Sequence, residues 1–262
     1  MNRLYLFTIL LLSCNIGDCF GQDTLTVMSY NIYHGEQAYE AGESNLEEIA
    51  AVIERVNPDL VALQEVDSLT GRSARLNDGQ PVNQVQKLGE LTGMHSYFGK
   101  AMDYDGGGYG EGILSRVPAE HKKVMLPIPA GGEPRALLIV RYPAGKHSYV
   151  QFGGTHLCHQ FEENRLAQVK KMSKVFSHSD EAVIVAGDFN FTPDDSPYQQ
   201  AKKNWLDAAL LAGKEVPTFS YDDPAIRIDY FFLSQKKWKI IDMKVIKEPA
   251  SDHMAIVMKV VI

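Results

Sequence analysis

The segment Val183-Ile184-Val185-Ala186-Gly187-Asp188-Phe189-Asn190 decides the fold of this chain. Its first four residues are small or branched and apolar, which is typical of a strand buried on both faces. Gly187 follows, then Asp188 and Asn190, and Pro193 closes a polar loop. Polar groups at the end of such a strand are where α/β proteins build ligand sites. Asp and Asn are also common turn formers, so the segment alone leaves both a site and a plain turn open.

The hydrophobic periodicity predicts an alternation of strands and helices along the rest of the chain. Strands are predicted at about residues 24–33, 59–65, 94–102, 110–115, 122–126, 135–142, 147–155, 226–233, 239–246 and 253–261. Helices are predicted at about residues 45–57, 82–92 and 162–177, with Ser44 and Glu47 in the pattern of a capping box before the first. This count favours an α/β (α+β type) fold of two packed mixed β-sheets flanked by helices over a single open sheet.

The composition indicates one large domain, for which we take residues 22–262. The chain has 262 residues, 45% of them hydrophobic, and no linker, repeat or low-complexity tract. Its formal net charge of -7 argues against long duplex DNA as the main partner, because proteins that bind duplex phosphates usually carry a basic surface. Nucleic acid stays open as a partner, since a bound divalent cation supplies local positive charge.

The first residues are predicted to be a targeting segment. A short basic start precedes an apolar run over residues 4–12, which is too short to span a bilayer and suits the core of a signal peptide. Two processing routes are open: cleavage before Gln22, so that residues 1–21 are a signal peptide, or a lipoprotein leader that ends before a lipidated Cys14. Both predict an exported protein, in the periplasm, on the outer-membrane surface or outside the cell, and the second predicts membrane attachment through Cys14.

Polar residues recur where the predicted strands end. They are Asn31, Glu65, His156, Asp188, Asn190, Asp229, Asp252 and His253. Oxygen donors such as Glu65, Asn31 and Asp252 are the ligands that Mg2+ requires, with Mn2+ or Ca2+ as alternatives. A cation there would stabilise charge on a phosphate, while Asp188, His253 and His156 could divide the proton transfers. Each residue also has a plain structural interpretation: Asp229, for example, could only pair with Arg227, and His156 could be a buried core histidine.

Taken together, the motifs resemble those of the endonuclease/exonuclease/phosphatase superfamily, which includes deoxyribonucleases, sphingomyelinases and inositol-polyphosphate 5-phosphatases. The matching segments follow in the order of the superfamily: Met28-Ser29-Tyr30-Asn31-Ile32, Leu63-Gln64-Glu65-Val66, Tyr109-Gly110 with Ile113-Leu114-Ser115, Arg135-Ala136, Thr155-His156-Leu157, Gly187-Asp188-Phe189-Asn190, Arg227-Ile228-Asp229-Tyr230 and Ser251-Asp252-His253. The resemblance implies a four-layer sandwich and a metal-dependent phosphoesterase, most often a phosphodiesterase.

The resemblance also implies roles for single residues. The metal-binding acid falls on Glu65, with Asn31 and Asp252 nearby. Asp188 and Asn190 would position the attacking water and the phosphate. Asp229 would orient His253, and His156 would bind the phosphate or assist the leaving group. Whether Asp188 or His253 is the base stays open at this point.

The substrate is less well specified than the reaction. Tyr109, Glu111 and Arg135 fall on segments that contact substrate in the superfamily, but Glu111-Gly112 stands where many members have Asn-Ala. Gly106-Gly107-Gly108 is interpreted as a flexible loop at the rim of the site. The expected substrate is a phosphate ester of a nucleic acid, a phospholipid or a sugar phosphate, and we expect a monomer. The alternative function is a non-catalytic envelope binding module on the same fold.

Overall fold

The computed structural model describes residues 24–145 and 148–262. The predicted leader, with Cys14 and Cys19, lies outside the described residues. Within them, no helix has the length and apolar character that a membrane crossing requires.

The described residues form strands and helices that we number in chain order. The strands are β1 (Thr24–Asn31), β2 (Leu60–Ser68), β3 (His95–Tyr104), β4 (Gly107–Ser115), β5 (Glu120–Leu126), β6 (Arg135–Pro143), β7 (Tyr149–His156), β8 (Ala182–Asp188), β9 (Trp205–Asp207), β10 (Asp229–Ser234), β11 (Lys239–Ile246) and β12 (Ala255–Val261). The helices are α1 (Leu46–Val56), α2 (Gly71–Arg75), α3 (Gln84–Thr92), α4 (Glu162–Phe176), α5 (Ser196–Ala201) and α6 (Ala208–Ala212).

The strands pair into two mixed six-stranded sheets, in the orders β11-β12-β1-β2-β4-β3 and β5-β6-β7-β8-β10-β9. Each sheet has one parallel pair near its centre, β1 with β2 and β7 with β8, and its other pairs are antiparallel. The first parallel pair is connected through α1 and the second through α4. Parallel strands need such a crossover, because a tight turn can join only antiparallel neighbours.

Three separate hydrophobic clusters show how the layers pack. One lies between the two sheets and contains, for example, Val27, Ile113, Phe152 and Phe231. The second joins the first sheet to α1 and α3, and the third joins the second sheet to α4 and α5. Three buried interfaces separate four layers, so the predicted sandwich of two packed mixed sheets with helices on both outer faces is confirmed.

This topology decides where the functional side chains lie. The carboxyl ends of parallel strands meet at one edge of a sheet. Asn31 and Glu65 therefore lie at one edge of the first sheet, and His156 and Asp188 at the corresponding edge of the second. Asp229 begins the antiparallel strand β10, opposite Asp188, and so lies at the same edge.

Two local predictions were wrong. Gly107 and Gly108 belong to β4, and only Asp105 and Gly106 form the turn from β3, with φ of 43° and 80°. Asp-Gly with two positive φ values is the usual turn of a two-residue hairpin, which outweighs the glycine-rich composition. Gly107 is needed for close packing, since a Cβ there would lie 2.4 Å from the carbonyl oxygen of Ser68.

The predicted capping box of Ser44 and Glu47 does not form. Asn45 is the cap residue of α1, and its side chain makes no cap hydrogen bond. Its amide nitrogen instead donates to the backbone carbonyls of Ile32, Glu36 and Ala250. Asn45 thus ties the connection between β1 and α1 to the loop between β11 and β12, beside the edge of the sheet that carries Asn31.

Candidate active site

Asp188 is the centre of the polar cluster at this edge. Its Oδ2 accepts a hydrogen bond from Asn31 Nδ2 at 3.2 Å, and it lies 3.4 Å from His156 Nε2 and 3.5 Å from His253 Nε2. Its Oδ1 accepts from the backbone N–H of Asn190 at 2.9 Å. Residues from both sheets therefore converge on one buried carboxylate, as the strand-end pattern predicts.

His253 bridges two carboxylates. Its Nδ1 lies 3.0 Å from Asp229 Oδ2, so Asp229 orients the ring and leaves Nε2 facing Asp188. Arg227 does not pair with Asp229, because it forms a bidentate ion pair with the buried Asp207 at 2.7 Å and 3.0 Å. The plain interpretation of Asp229 as the partner of Arg227 is therefore wrong.

The tautomer of His156 follows from its neighbours. Arg135 Nη1 lies 3.1 Å from His156 Nδ1, and a guanidinium only donates, so Nδ1 is the acceptor and Nε2 carries the proton. That N–H points to Asp188. Burial and then the Arg135 charge hold the pKa of His156 well below its usual range, so the ring is neutral. Arg135 also donates to Glu133 and His159 at the rim.

The pKa values of Asp188 and His253 are both raised above the usual values of these side chains. Burial raises the pKa of Asp188 to about 7, with Asp229 and Glu65 adding to the rise and the His253 charge opposing it. Burial alone would lower the pKa of His253, but the carboxylates of Asp229 and Asp188 raise it to about 10. At neutral pH His253 is an imidazolium, and Asp188 is close to its own midpoint. A carboxylate with a pKa near the operating pH suits a general base.

Glu65 lies in an unusual backbone conformation. The register of β2 against β4 shifts across Gln64 and Glu65, and Glu65 has a φ of 59°. Such irregularities re-aim side chains beside functional sites. The carboxylate accepts from Asn31 Nδ2 at 3.1 Å. Burial alone would raise its pKa, but the hydrogen bond from His34 and the nearby histidines hold the pKa of Glu65 well below its usual range.

The donor set fits a hard divalent cation. Burial raises the pKa of Asp252, and the Glu65 charge adds to the rise while His253 opposes it. Glu65, Asp188 and Asp252 therefore crowd negative charge into one cleft, and a divalent cation would offset it. Asp188, Asp229 and His253 also offer ligand atoms within 4.8 Å of one another. Both nitrogens of His253 already face carboxylates there, so Glu65 and Asp252 are the better ligands. Asn31 presents its amide nitrogen to Glu65 and Asp188, and in this arrangement it cross-links them.

These residues open onto a cleft of about 570 Å³. Of the residues predicted for the site, Glu65, Tyr109, Arg135, His156, Asp188, Asn190, Asp252 and His253 line it. Asn31 and Asp229 lie behind this lining.

Glu111 does not line the cleft. It is buried in the middle of β4, and its Oε2 has no hydrogen-bond partner. Burial raises the pKa of Glu111 to about 8, so the side chain is a neutral acid at pH 7.

Sequence reasoning missed several lining residues. They are His34, Arg72, Glu133, His159, Phe191, Thr192, Asp195, Phe219, Ile226 and Ile228. Arg72 comes from α2, which the periodicity does not reveal in five residues, and its guanidinium lies over the rings of Tyr104 and Tyr109. Phe219, Ile226 and Ile228 add apolar surface to the lining. His34 is three residues after Asn31, and this spacing is the one signal that could have found it.

The fold is the phosphoesterase fold that nucleases and phosphatases share. The chain belongs to the Endonuclease/Exonuclease/phosphatase family, whose model matches residues 28–253. The uncharacterized protein YbhP of Escherichia coli K12 is 26% identical over 220 residues, which cover 81% of this chain and 85% of YbhP.

Solved structures share the fold. An endonuclease/exonuclease/phosphatase from Beutenbergia cavernae DSM 12333 aligns with a TM-score of 0.75 and 23% identity, over 92% of this chain and 72% of that one. The human Nocturnin catalytic domain with a bound sulfate anion aligns with a TM-score of 0.69 and 19% identity, over 91% of this chain and 94% of that one. At these sequence identities, both similarities show a shared fold only.

Proposed function

We propose that this protein is an exported, divalent-metal-dependent phosphodiesterase that hydrolyses a P–O bond by in-line attack of water. The observation that carries the proposal is the chain from Asp229 through His253 to Asp188, beside the low-pKa carboxylate of Glu65. Family membership supports the reaction class, and the apolar run over residues 4–12 supports export.

The residues divide the proton transfers as follows. Asp188, with a pKa of about 7, accepts a proton from the attacking water while the new O–P bond forms. The imidazolium of His253 supplies a proton to the leaving alkoxide as the old P–O bond breaks, and Asp229 holds that ring in place. The neutral His156 donates its Nε2–H toward the centre of the cleft, fixed by Arg135 on its other side.

Asn190 and Glu65 complete the arrangement. Asn190 donates one amide N–H to the carbonyl of Leu157 at 3.1 Å, which leaves its second amide N–H for a phosphate oxygen and its side-chain oxygen to accept from water. Mg2+ is the cation that we propose for Glu65 and Asp252, with Mn2+ or Ca2+ as alternatives. When bound, a divalent cation supplies positive charge to a phosphate oxygen as negative charge develops on it.

The substrate classes that we propose are short nucleic acids and phospholipid or sugar-phosphate head groups. The formal net charge of -7 disfavours long duplex DNA. The lining of the cleft contains the guanidinium groups of Arg72 and Arg135 and also the apolar side chains of Phe219 and Ile226. This combination suits a diester with one charged and one less polar side.

The test is hydrolysis of bis-p-nitrophenyl phosphate with Mg2+, compared with the p-nitrophenyl monoester and with a chelated sample. Glu65→Ala and His253→Ala should abolish activity. Asp103→Asn, at a side chain that is 90% exposed, is the matched control and should retain it. Full activity in both site variants would overturn the assignment. A panel of oligonucleotides, sphingomyelin and inositol phosphates then identifies the leaving group.

A further inference from the structure

His34 lies in the cleft, between two carboxylates. Its Nδ1 is 3.4 Å from Glu65 Oε2, and its Nε2 is 3.1 Å from Glu36 Oε2. The side chain is 14% exposed, so the ring is held within the wall of the cleft. His34 takes no part in the proposed proton transfers.

The backbone around His34 is built to hold this orientation. Tyr33 and His34 have φ values of 48° and 47°, which are rare for residues with a Cβ. Gln84 Nε2 donates to the carbonyl oxygen of His34 at 2.6 Å. Gly35 has a φ of 82°, and a Cβ there would lie 2.1 Å from the same Gln84 nitrogen, so a side chain would strain the backbone and displace Gln84 from His34. Such conformations persist only where the surroundings enforce them, and they concentrate at functional sites.

The partners of the ring match those of a metal-binding imidazole. Glu36 is placed to accept the Nε2–H, and its other oxygen accepts the backbone N–H of Gly42 at 2.7 Å. A metal-bound histidine usually donates its second ring N–H to a carboxylate, which fixes the tautomer and leaves the other nitrogen free to coordinate. Here that nitrogen is Nδ1, which faces Glu65.

The spacing of the two donor atoms is also suitable. Neighbouring ligands of an octahedral ion at about 2.1 Å from the metal lie about 3 Å apart. His34 Nδ1 and Glu65 Oε2 are 3.4 Å apart, close to this spacing. We propose that His34 Nδ1 and the Glu65 carboxylate jointly coordinate the divalent cation of this cleft, and that the nitrogen ligand strengthens the binding of Mn2+-type ions more than that of Mg2+ and Ca2+.

The selectivity follows from ligand chemistry. Mg2+ and Ca2+ favour oxygen ligands, whereas imidazole nitrogen increases the affinity for first-row transition ions. Coordination replaces any proton on Nδ1, and that proton leaves to solvent. The inference rests on the metal dependence in the proposed function, but the binding itself is measurable without any substrate.

The experiment measures binding of Mn2+ to the full chain by pulsed electron paramagnetic resonance and by calorimetry. The wild type should show a nitrogen-14 coupling to bound Mn2+. His34→Asn should lose it, because asparagine tolerates the positive φ but brings an amide in place of the imidazole. His159→Asn is the matched control: this histidine also lines the cleft but contacts Arg135, and the coupling should remain.

Calorimetry gives the second readout. His34→Asn should weaken Mn2+ binding about 10- to 100-fold while changing Mg2+ binding much less. No nitrogen coupling in the wild type, an unchanged coupling in His34→Asn, or equal weakening for both ions would overturn the proposal. The last result would mean that His34 only orients Glu65. If the coupling is present and no diester is hydrolysed, the proposed function fails while the metal ligand stands.

Discussion

Asp188 and Asp229 lie directly opposite each other on the antiparallel strands β8 and β10. The imidazole of His253 lies between their carboxylates, with Nδ1 at 3.0 Å from Asp229 and Nε2 at 3.5 Å from Asp188. The pairing register of two core strands therefore fixes the distance between the candidate base and the residue that orients the candidate acid. Any change in this register would separate the two groups.

The pH dependence of catalysis should follow from this relationship. Activity requires Asp188 ionised and His253 protonated, so kcat/KM should rise through a pKa of about 7 and fall through a pKa of about 10. Asp229→Asn removes the carboxylate charge that most raises the pKa of His253. The falling limb should then move to lower pH by about 1–3 units. A pH profile on bis-p-nitrophenyl phosphate measures both limbs, and an unmoved falling limb would contradict the assignment of His253.

Arg135 should be sensitive to a substitution that keeps its charge. Its guanidinium contacts His156, Glu133 and His159 at once, and only 3% of the side chain is exposed. Arg135→Lys retains one positive charge, but a single ammonium group cannot make all three of these contacts. His156 therefore loses its fixed tautomer. We expect kcat/KM to fall about 100-fold, as is typical of a misplaced catalytic group. Arg141→Lys serves as the control, because Arg141 and its partner Glu181 are partly exposed and do not line the cleft, and it should leave the rate near that of the wild type.

The strand ends explain how much of the fold and site could be predicted from sequence. Apolar stretches that run up to Asn31, Glu65, His156 and Asp188 are visible in the sequence, and the parallel pairs bring these residues together, although β2 continues past Glu65 to Ser68. Fewer than half of the residues that line the cleft follow from this rule and from the order of the motifs.

The residues that were missed depend on conformations that periodicity does not encode. His34 reaches the cleft through two successive positive φ values, and Arg72 through a helix of five residues. Glu111 was expected near a loop, but the hairpin turn lies at Asp105 and Gly106, which places Glu111 in the middle of a long strand. The hydrophobic pattern identifies the residues that end strands. It does not identify the loop conformations that bring other residues close to those strand ends.

Glu111 should make stability depend on pH. Its pKa is raised from 4.5 to about 8 by burial, so the folded state binds a proton more tightly than the unfolded state. The stability that this proton provides is complete below pH 4.5 and is lost as the pH rises through about 8. The loss amounts to about 1.4 kcal/mol per pH unit within that window.

Glu111→Gln imitates the neutral acid and removes this dependence. In the presence of a chelator, the free energy of unfolding of the variant should be close to that of the wild type at pH 6. At pH 9 the variant should be the more stable of the two proteins. Urea unfolding at several pH values measures the two slopes. Parallel slopes for the two proteins would show that Glu111 is ionised in the folded state.

Gly187, between the core strand and Asp188, should not tolerate a side chain. Its φ is 153°, and a Cβ there would lie 1.9 Å from the carbonyl oxygen of Thr155 on β7. Both clashing groups are backbone, so relief requires β7 and β8 to separate, which would also displace His156 from Asp188. Gly187→Ala should therefore lower the free energy of unfolding by more than about 3 kcal/mol.

The matched control is Gly213→Ala. Gly213 also has a positive φ, of 61°, but no heavy atom lies within 4 Å of the added Cβ. That variant should lose only about 1 kcal/mol from backbone strain. Thermal unfolding of the two variants separates the clash from the strain, and equal losses would show that the two strands yield to the added methyl group.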